Sequence, residues 1–147
     1  MNLPLKQLNL SQLADTPKIS TSEYDREKID IGIVHLGPGA FHRAHQAVYT
    51  ETAMNLSGGD WGICGVSLRS TTARDILVEQ DNLYTLAILD KKVSYQIIGA
   101  IKEVLVASEQ SNEVIARMAA ASTKLVTLTI TEKGYCLASD GSLDLNH

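Results

Sequence analysis

At 147 residues the chain has the length of one ordinary domain, enough to bury a real core. An apolar share of 44% excludes a disordered chain, and a net charge of −4 with scattered lysines and arginines excludes a basic nucleic-acid surface. No segment approaches the ~20 apolar residues of a membrane span, and no leading apolar run has the length of a secretory signal. The expected compartment is therefore the cytoplasm. Cys64 and Cys136, both in apolar strand-like sequence, are expected to be buried free thiols, without a disulfide framework or zinc spacing.

In chain order, Met1 to Asp30 reads as an irregular polar lead, its alternating leucines (Leu3, Leu5, Leu8, Leu10, Leu13) draped over a surface. The folded domain is expected to span residues 31–147. Residues 30–36 read as a buried strand. Ala40 to Leu56 reads as a helix, with Phe41, Ala44, Val48 and Thr52 at helical spacing and Ser57-Gly58-Gly59 as its stop. Trp61 to Leu68 is a second short strand. Thr71 to Gln80 is a second helix, with Ile76 and Leu77 on its apolar side. Residues 82–89 and 93–101, rich in β-branched and aromatic residues and parted by Asp90-Lys91-Lys92, suggest a hairpin. Asn112 to Ala121 is a helix with Val114, Ile115, Met118 and Ala119 on one face. Leu125 to Ile130 is a further buried strand, running into Thr131-Glu132-Lys133-Gly134-Tyr135. This alternation implies an α/β domain with a mostly parallel sheet and an antiparallel insertion.

The first strand runs straight into Gly37-Pro38-Gly39, and a helix opens near Ala40. Strand, glycine turn and helix together present backbone N–H groups to a phosphate. The dinucleotide fingerprint asks for glycine at three positions, GxGxxG. Gly37 and Gly39 fit, while His42 fills the third place, where its bulk holds the helix off the strand or tilts it. Arg43, in the first helical turn, is placed to bond a pyrophosphate through its fork or else to face solvent. After the second strand, where a carboxylate would bond the adenosine ribose, stand Arg69, Ser70, Thr71 and Thr72, with no acid before Asp75. These suit a ribose 2′-phosphate. Alternatively, Arg69 stacks on the adenine or faces solvent while Ser70 caps the next helix. His35, His42 and His45 lack a third ligand at metal spacing, since Glu51 is two turns on, so packing in the first helix turn is expected and no metal site. Glu132 follows a strand end, where the ligand crevice of open α/β sheets lies. It either handles a proton or substrate hydroxyl there, or simply turns the chain with Lys133.

Four blocks in order, HLGPGAFHRAHQAVY, WGICGVSL, QDNLYTL and LTITEKGY, resemble the N-terminal domain of the long-chain mannitol dehydrogenase family. The resemblance covers about residues 24 to 140, and the run Thr131 to Tyr135 resembles the fructuronate reductase (D-mannonate oxidoreductase) branch most. It implies a Rossmann-type sheet and a metal-independent oxidoreductase using NAD or NADP on a linear sugar derivative. The expected reaction interconverts a 2-keto sugar acid or ketose and its polyol form, D-fructuronate and D-mannonate first. It further implies that Gly37, Gly39 and the Ala40-Phe41 backbone hold the pyrophosphate, within reach of Arg43. Arg69 and Ser70 would stand where family members set cofactor preference, with Thr131 and Glu132 beside the nicotinamide and substrate. The family's catalytic lysine, asparagine and histidine belong to a helical C-terminal domain, and Lys133 does not match that lysine. The 147 residues therefore read as the cofactor half, inactive alone, with an apolar face that favours self-association. A nucleotide-sensing module and a methyltransferase domain remain open as other readings.

Overall fold

The structure, a computed structural model, describes residues 19–130, 132–138 and 140–144. The leucines Leu3 to Leu13 of the lead, Thr131, and the side chains of Glu132 and Lys133 lie outside the described residues. The elements are β1 (Ile31–Leu36), α1 (Ala40–Ala44), α2 (Gln46–Ser57), β2 (Gly62–Ser67), α3 (Thr72–Val78), β3 (Tyr84–Ile88), β4 (Ser94–Ile98), β5 (Ile101–Val106), α4 (Ser111–Ala119) and β6 (Leu125–Leu128). Four strands form a parallel sheet in the order β5-β2-β1-β6, and β3 with β4 makes a separate antiparallel ribbon. This is a Rossmann-type arrangement with an inserted hairpin.

The two inner strands read as near-continuous apolar runs because both of their faces are covered. Successive residues point to opposite faces. Ile33 and Ile63 therefore pack with Ala47 and Met54 of α2 and Leu77 of α3, joined by Ile101 and, past a register shift in the β2–β5 pairing, Val104. Val34, Cys64, Val66 and Leu105 pack on the other side with Val114 of α4. Each fully buried aliphatic side chain contributes roughly 1.5–3 kcal/mol.

Several expectations change. Residues 93–101 are not one strand: β4 ends at Ile98, and Gly99-Ala100 carries the chain to β5, which the sequence pattern did not mark. Lys102 and Glu103 interrupt its apolar pattern because each has a partner, Lys102 Nζ donating to the Ile29 carbonyl and Glu103 accepting from Arg117 Nε at 2.9 Å. The helix from Ala40 breaks at His45 (φ −129°, ψ −88°), and the break turns the buried face onto His42, Ala47, Thr50, Glu51 and Met54. Phe41, Ala44 and Thr52 of the expected stripe are exposed. Ile76 is exposed while Leu77 is buried, and on α4 Val114 alone is buried. The strand at 125–130 is not buried: β6 is a sheet edge, with Leu125, Val126 and Leu128 exposed. Cys64 is buried as expected, but Cys136 is only half-buried, beyond the sheet at φ +50°.

The described part of the lead is fastened rather than draped. Arg26 donates to the carbonyls of Gly99 (2.9 Å), Asp81 (3.2 Å) and Ile101 (3.3 Å). Ser22 Oγ, Tyr24 OH (2.8 Å) and Gly99 N–H (2.9 Å) all donate to the fully buried Glu51 carboxylate. Among the described residues no helix is long and apolar enough to cross a membrane.

Candidate functional site

All four sheet strands are parallel, so their C-terminal ends lie on one edge, and β1 is where the order reverses between β2 and β6. Ligands of open α/β sheets bind in the crevice at such a switch point. The turn Gly37–Gly39 emerges there. Gly37 N–H donates to the Val66 carbonyl (2.9 Å) and Gly39 N–H to the Gly37 carbonyl (2.7 Å), which locks the turn onto β2. Gly37 has φ +91°, a region L side chains rarely adopt, so the backbone itself requires glycine. Gly39 differs: its φ is −72°, and a Cβ there would meet nothing nearer than the Gly37 carbonyl oxygen at 3.9 Å. The fold does not need glycine at 39. The open space over that residue is a cradle in which a ligand can approach the backbone.

Three grooves meet over this edge. One of about 430 Å³ is walled by Arg43, Ser67, Ser70, Thr72, Gln80 and Tyr84 among others. The next, about 520 Å³, runs over Gly37, Pro38, Gly39, Ala40 and Phe41 and shares Arg43, Ser67 and Ala73 with the first. The third, about 630 Å³, lies between the α1–α2 helices and β6 and shares Phe41 and Thr129 with the second. Shared walls make them one trench across β2, β1 and β6. Its middle is the glycine turn.

Arg43 is braced for this position. Its Nη1 donates to the Pro38 carbonyl at 2.7 Å, and the Tyr84 hydroxyl donates to the Arg43 carbonyl at 2.6 Å. Arg43 borders both of the first two grooves. Helix α1 has only five residues before the break, so its dipole is short. The fixed positive charge for an anion comes chiefly from Arg43.

His42 occupies the place of the third fingerprint glycine without pushing the helix away edge-on. Its ring lies flat on that of His35, centroids 3.7 Å apart and planes 13° apart. Close approach on the β2 side comes instead from Gly65, where a Cβ would stand 2.9 Å from Pro38 Cβ. Burial, and then the neighbouring His35 and Arg43, push the His42 imidazole down to about 3, so it is neutral. Burial lowers His35 as well, against the opposing hydrogen bond to Gly37. Both His42 ring nitrogens are buried without a partner among the described residues, on the wall of the third groove. Phe41, His45 and Tyr49 form an aromatic row along that groove, His45 stacked on Phe41 and edge-on to Tyr49. The histidines are thus packing elements, and among the described residues no group of three His, Cys, Asp or Glu could hold a metal ion.

Of the residues singled out from sequence, the structure brings Gly37, Gly39, Ala40, Phe41 and Arg43 together in the middle groove and places Ser70 in the adjoining one. Arg69 is exposed just past β2 and lines none of the three grooves. Ser70 Oγ accepts from Thr72 N–H at 3.2 Å, but the N-cap of α3 is Thr71, so Ser70 stands one residue before the cap. Asp75 pairs with Arg74 at 2.9 Å. Glu132 opens a single 3-10 turn, Glu132–Tyr135, beyond β6. Sequence reading missed Thr129, Tyr84 and the packing role of Gly65. The alternation Thr127, Thr129 in an otherwise apolar strand was the available signal.

Residues 31–144 match the family model described as "Mannitol dehydrogenase Rossmann domain". The chain is 44% identical over 137 residues to mannitol 2-dehydrogenase of Phaeosphaeria nodorum, covering 90% of this chain and 24% of that protein. It is 42% identical over 136 residues to D-mannonate oxidoreductase of Escherichia coli, covering 88% of this chain and 28% of that protein. Among solved structures, the ternary complex of Pseudomonas fluorescens mannitol 2-dehydrogenase with NAD and D-mannitol superposes with a TM-score of 0.83 at 40% identity. That match covers 94% of this chain and 30% of the other. The chain thus spans about a quarter of the length of the curated relatives it matches. A glycine turn at the switch point of a parallel sheet, together with this match over most of the sequence, places the chain in the mannitol dehydrogenase family, as its Rossmann domain.

Proposed function

We propose that the chain binds a nicotinamide dinucleotide along the trench and forms the cofactor-binding part of an oxidoreductase acting on sugar alcohols or sugar acids. The observation that carries this is the Gly39 cradle, open where the fold does not require it and flanked by Arg43. The backbone of Gly37, Gly39, Ala40 and Phe41 and the Arg43 fork hold the pyrophosphate. Ser70, and Arg69 from outside the groove, stand near the adenosine ribose, and with no carboxylate between them the site accepts NAD or NADP. Thr131 and Glu132 follow β6 and border the nicotinamide and substrate. The bound nicotinamide supplies a hydride donor or acceptor at C4, and we assign no catalytic residue to these 147 residues.

Our finer reading of the substrate pair is D-fructuronate and D-mannonate. Its support is the run Thr131 to Tyr135 and the 42% identity to a D-mannonate oxidoreductase. Mannitol and its 2-ketose are the competing pair, supported by relatives of 44% identity. The exposed apolar side chains along the β6 edge and on α4, Val126, Leu128, Ile115 and Met118 among them, are the surface through which a second copy could associate.

Thermal denaturation with NADH, NADPH and S-adenosylmethionine tests the reading. A ligand at 100 times its Kd adds about 2.7 kcal/mol to the folded state. Stabilisation by either nicotinamide dinucleotide is expected. Stabilisation by S-adenosylmethionine alone would make this a methyl-transfer domain and end the dehydrogenase reading.

A further inference from the structure

His35 sits 3% exposed at the end of β1, two residues before the positive-φ Gly37. Its ring touches three groups on two elements: Nδ1 lies 2.8 Å from Thr127 Oγ1, while Nε2 lies 3.0 Å from Thr129 Oγ1 and 3.2 Å from the Gly37 carbonyl oxygen. A carbonyl oxygen only accepts, so Nε2 must carry the proton. The ring being neutral, Nδ1 is then the acceptor, and Thr127 shares its one hydroxyl proton between Nδ1 at 2.8 Å and the more distant Gln46 Oε1 at 3.3 Å. The Nε2 proton is shared between Gly37 O and Thr129 Oγ1. Thr129 therefore spends a lone pair on His35 and keeps its own hydroxyl proton free. Thr129 walls both the glycine-turn groove and the third groove, so it stands where the two join. A Cβ on Gly37 would lie 3.8 Å from Thr129 Cβ, which sets the threonine directly across from the turn.

We infer that Thr129 is a cofactor-contacting residue, its hydroxyl donating to a phosphate or ribose oxygen on the nicotinamide side, and that His35 is the positioning residue that aims it. The inference rests on the dinucleotide reading above. In this arrangement His35 does two things with one proton: it pins the Gly37 carbonyl, fixing the turn, and it denies Thr129 an inward donor role. His42, stacked on the same ring, holds the imidazole plane in place.

The test is NADH and NADPH affinity at pH 7.5, with a melting temperature for each variant. Thr129→Val, which keeps shape and loses the hydroxyl, is expected to weaken binding about fivefold, the effect of one ordinary hydrogen bond. Thr129→Ser should bind like the parent protein. His35→Phe keeps the stack but removes the donor, and should weaken binding by a similar factor. His35→Gln, whose amide N–H reaches the place of Nε2, should restore most of it. The decisive reading is the double variant: His35→Phe placed in the Thr129→Val background should cost clearly less than it does in the parent protein, since only its hold on the Gly37 carbonyl is then left to lose. If the two losses multiply, His35 does not act through Thr129, and the inference is overturned. Undiminished binding by Thr129→Val overturns it as well, with the dinucleotide reading intact. A parent protein that binds neither dinucleotide refutes that reading and the inference together.

Discussion

The Gly39 cradle makes a prediction that separates binding from folding. In Gly39→Ala the backbone already has φ −72° and ψ −174°, which alanine adopts without strain. The new Cβ meets only the Gly37 carbonyl oxygen at 3.9 Å, ordinary contact. The stiffer unfolded chain favours the variant by about 0.4–1 kcal/mol, and the poorer helix-capping residue offsets roughly 0.5–1 kcal/mol of that. Stability should therefore stay within about 0.5 kcal/mol of the parent. Binding should not. The methyl group fills the space a phosphate needs against the turn, and losing one charge-assisted hydrogen bond there weakens affinity about 10- to 150-fold. Gly65→Ala is the contrasting case. Its Cβ would stand 2.9 Å from Pro38 Cβ and 3.1 Å from Cγ, in a ring that cannot bend away. The turn must then shift by about 0.5 Å, at roughly 1–3 kcal/mol of stability, with affinity falling too. Urea unfolding and fluorescence titration with NADH read both quantities. A Gly39→Ala protein that binds NADH as tightly as the parent, or loses more than about 1 kcal/mol of stability, would refute the reasoning.

Arg43→Lys keeps the charge but loses the fork and its brace on the Pro38 carbonyl, so NADH affinity should drop about tenfold with little change in melting temperature. Equal affinity in a direct titration would remove Arg43 from the site. Glu51→Ala leaves Ser22 Oγ, Tyr24 OH and Gly99 N–H without their shared acceptor and should cost about 3–5 kcal/mol in urea unfolding. Glu51→Gln, which still accepts through one oxygen, should cost less than half as much, and equal losses would show that the charge carries the contact. The third test is acid stability. His42 is neutral in the fold down to about pH 3, whereas in the unfolded chain it titrates at the ordinary imidazole value of 6.5. Its stabilising contribution is full above pH 6.5 and is lost as pH falls, because only the unfolded state takes up the proton. At pH 5 the loss is roughly 2 kcal/mol, from 1.36 kcal/mol for each pH unit. His42→Phe should show a pH 7-to-5 decline smaller by that amount, and identical declines would contradict the neutral imidazole.

The fold class was legible because its signals are local. An apolar run ending in Gly37-Pro38-Gly39, the stop at Gly58, and β-branched runs parted by Asp90-Lys91-Lys92 each depend on neighbours a few residues away. The stop is realised as written, Gly58 at φ +63° donating to the Met54 carbonyl at 2.8 Å. The same holds for the residues of the turn, whose grouping in one groove follows from their adjacency in sequence.

What stayed hidden depends on partners far along the chain. β5 is a strand because Ile63 and Val66 offer it a ladder and because Ile29 and Arg117 satisfy its charged residues. Glu51 is buried because residues 29 and 27 positions before it, and one 48 after it, converge on its carboxylate. β6 has the composition of an inner strand, yet its exposure follows from where the order β5-β2-β1-β6 ends. His35 meets its threonines across 92 and 94 residues, and no period along the sequence encodes that meeting. The sequence by itself determined the alternation of elements and the phosphate-facing turn, since backbone preference and hydrophobic period act over a few residues. Only the tertiary structure decided which polar groups the turn works with, because a buried donor is positioned by whichever acceptor packing brings to it.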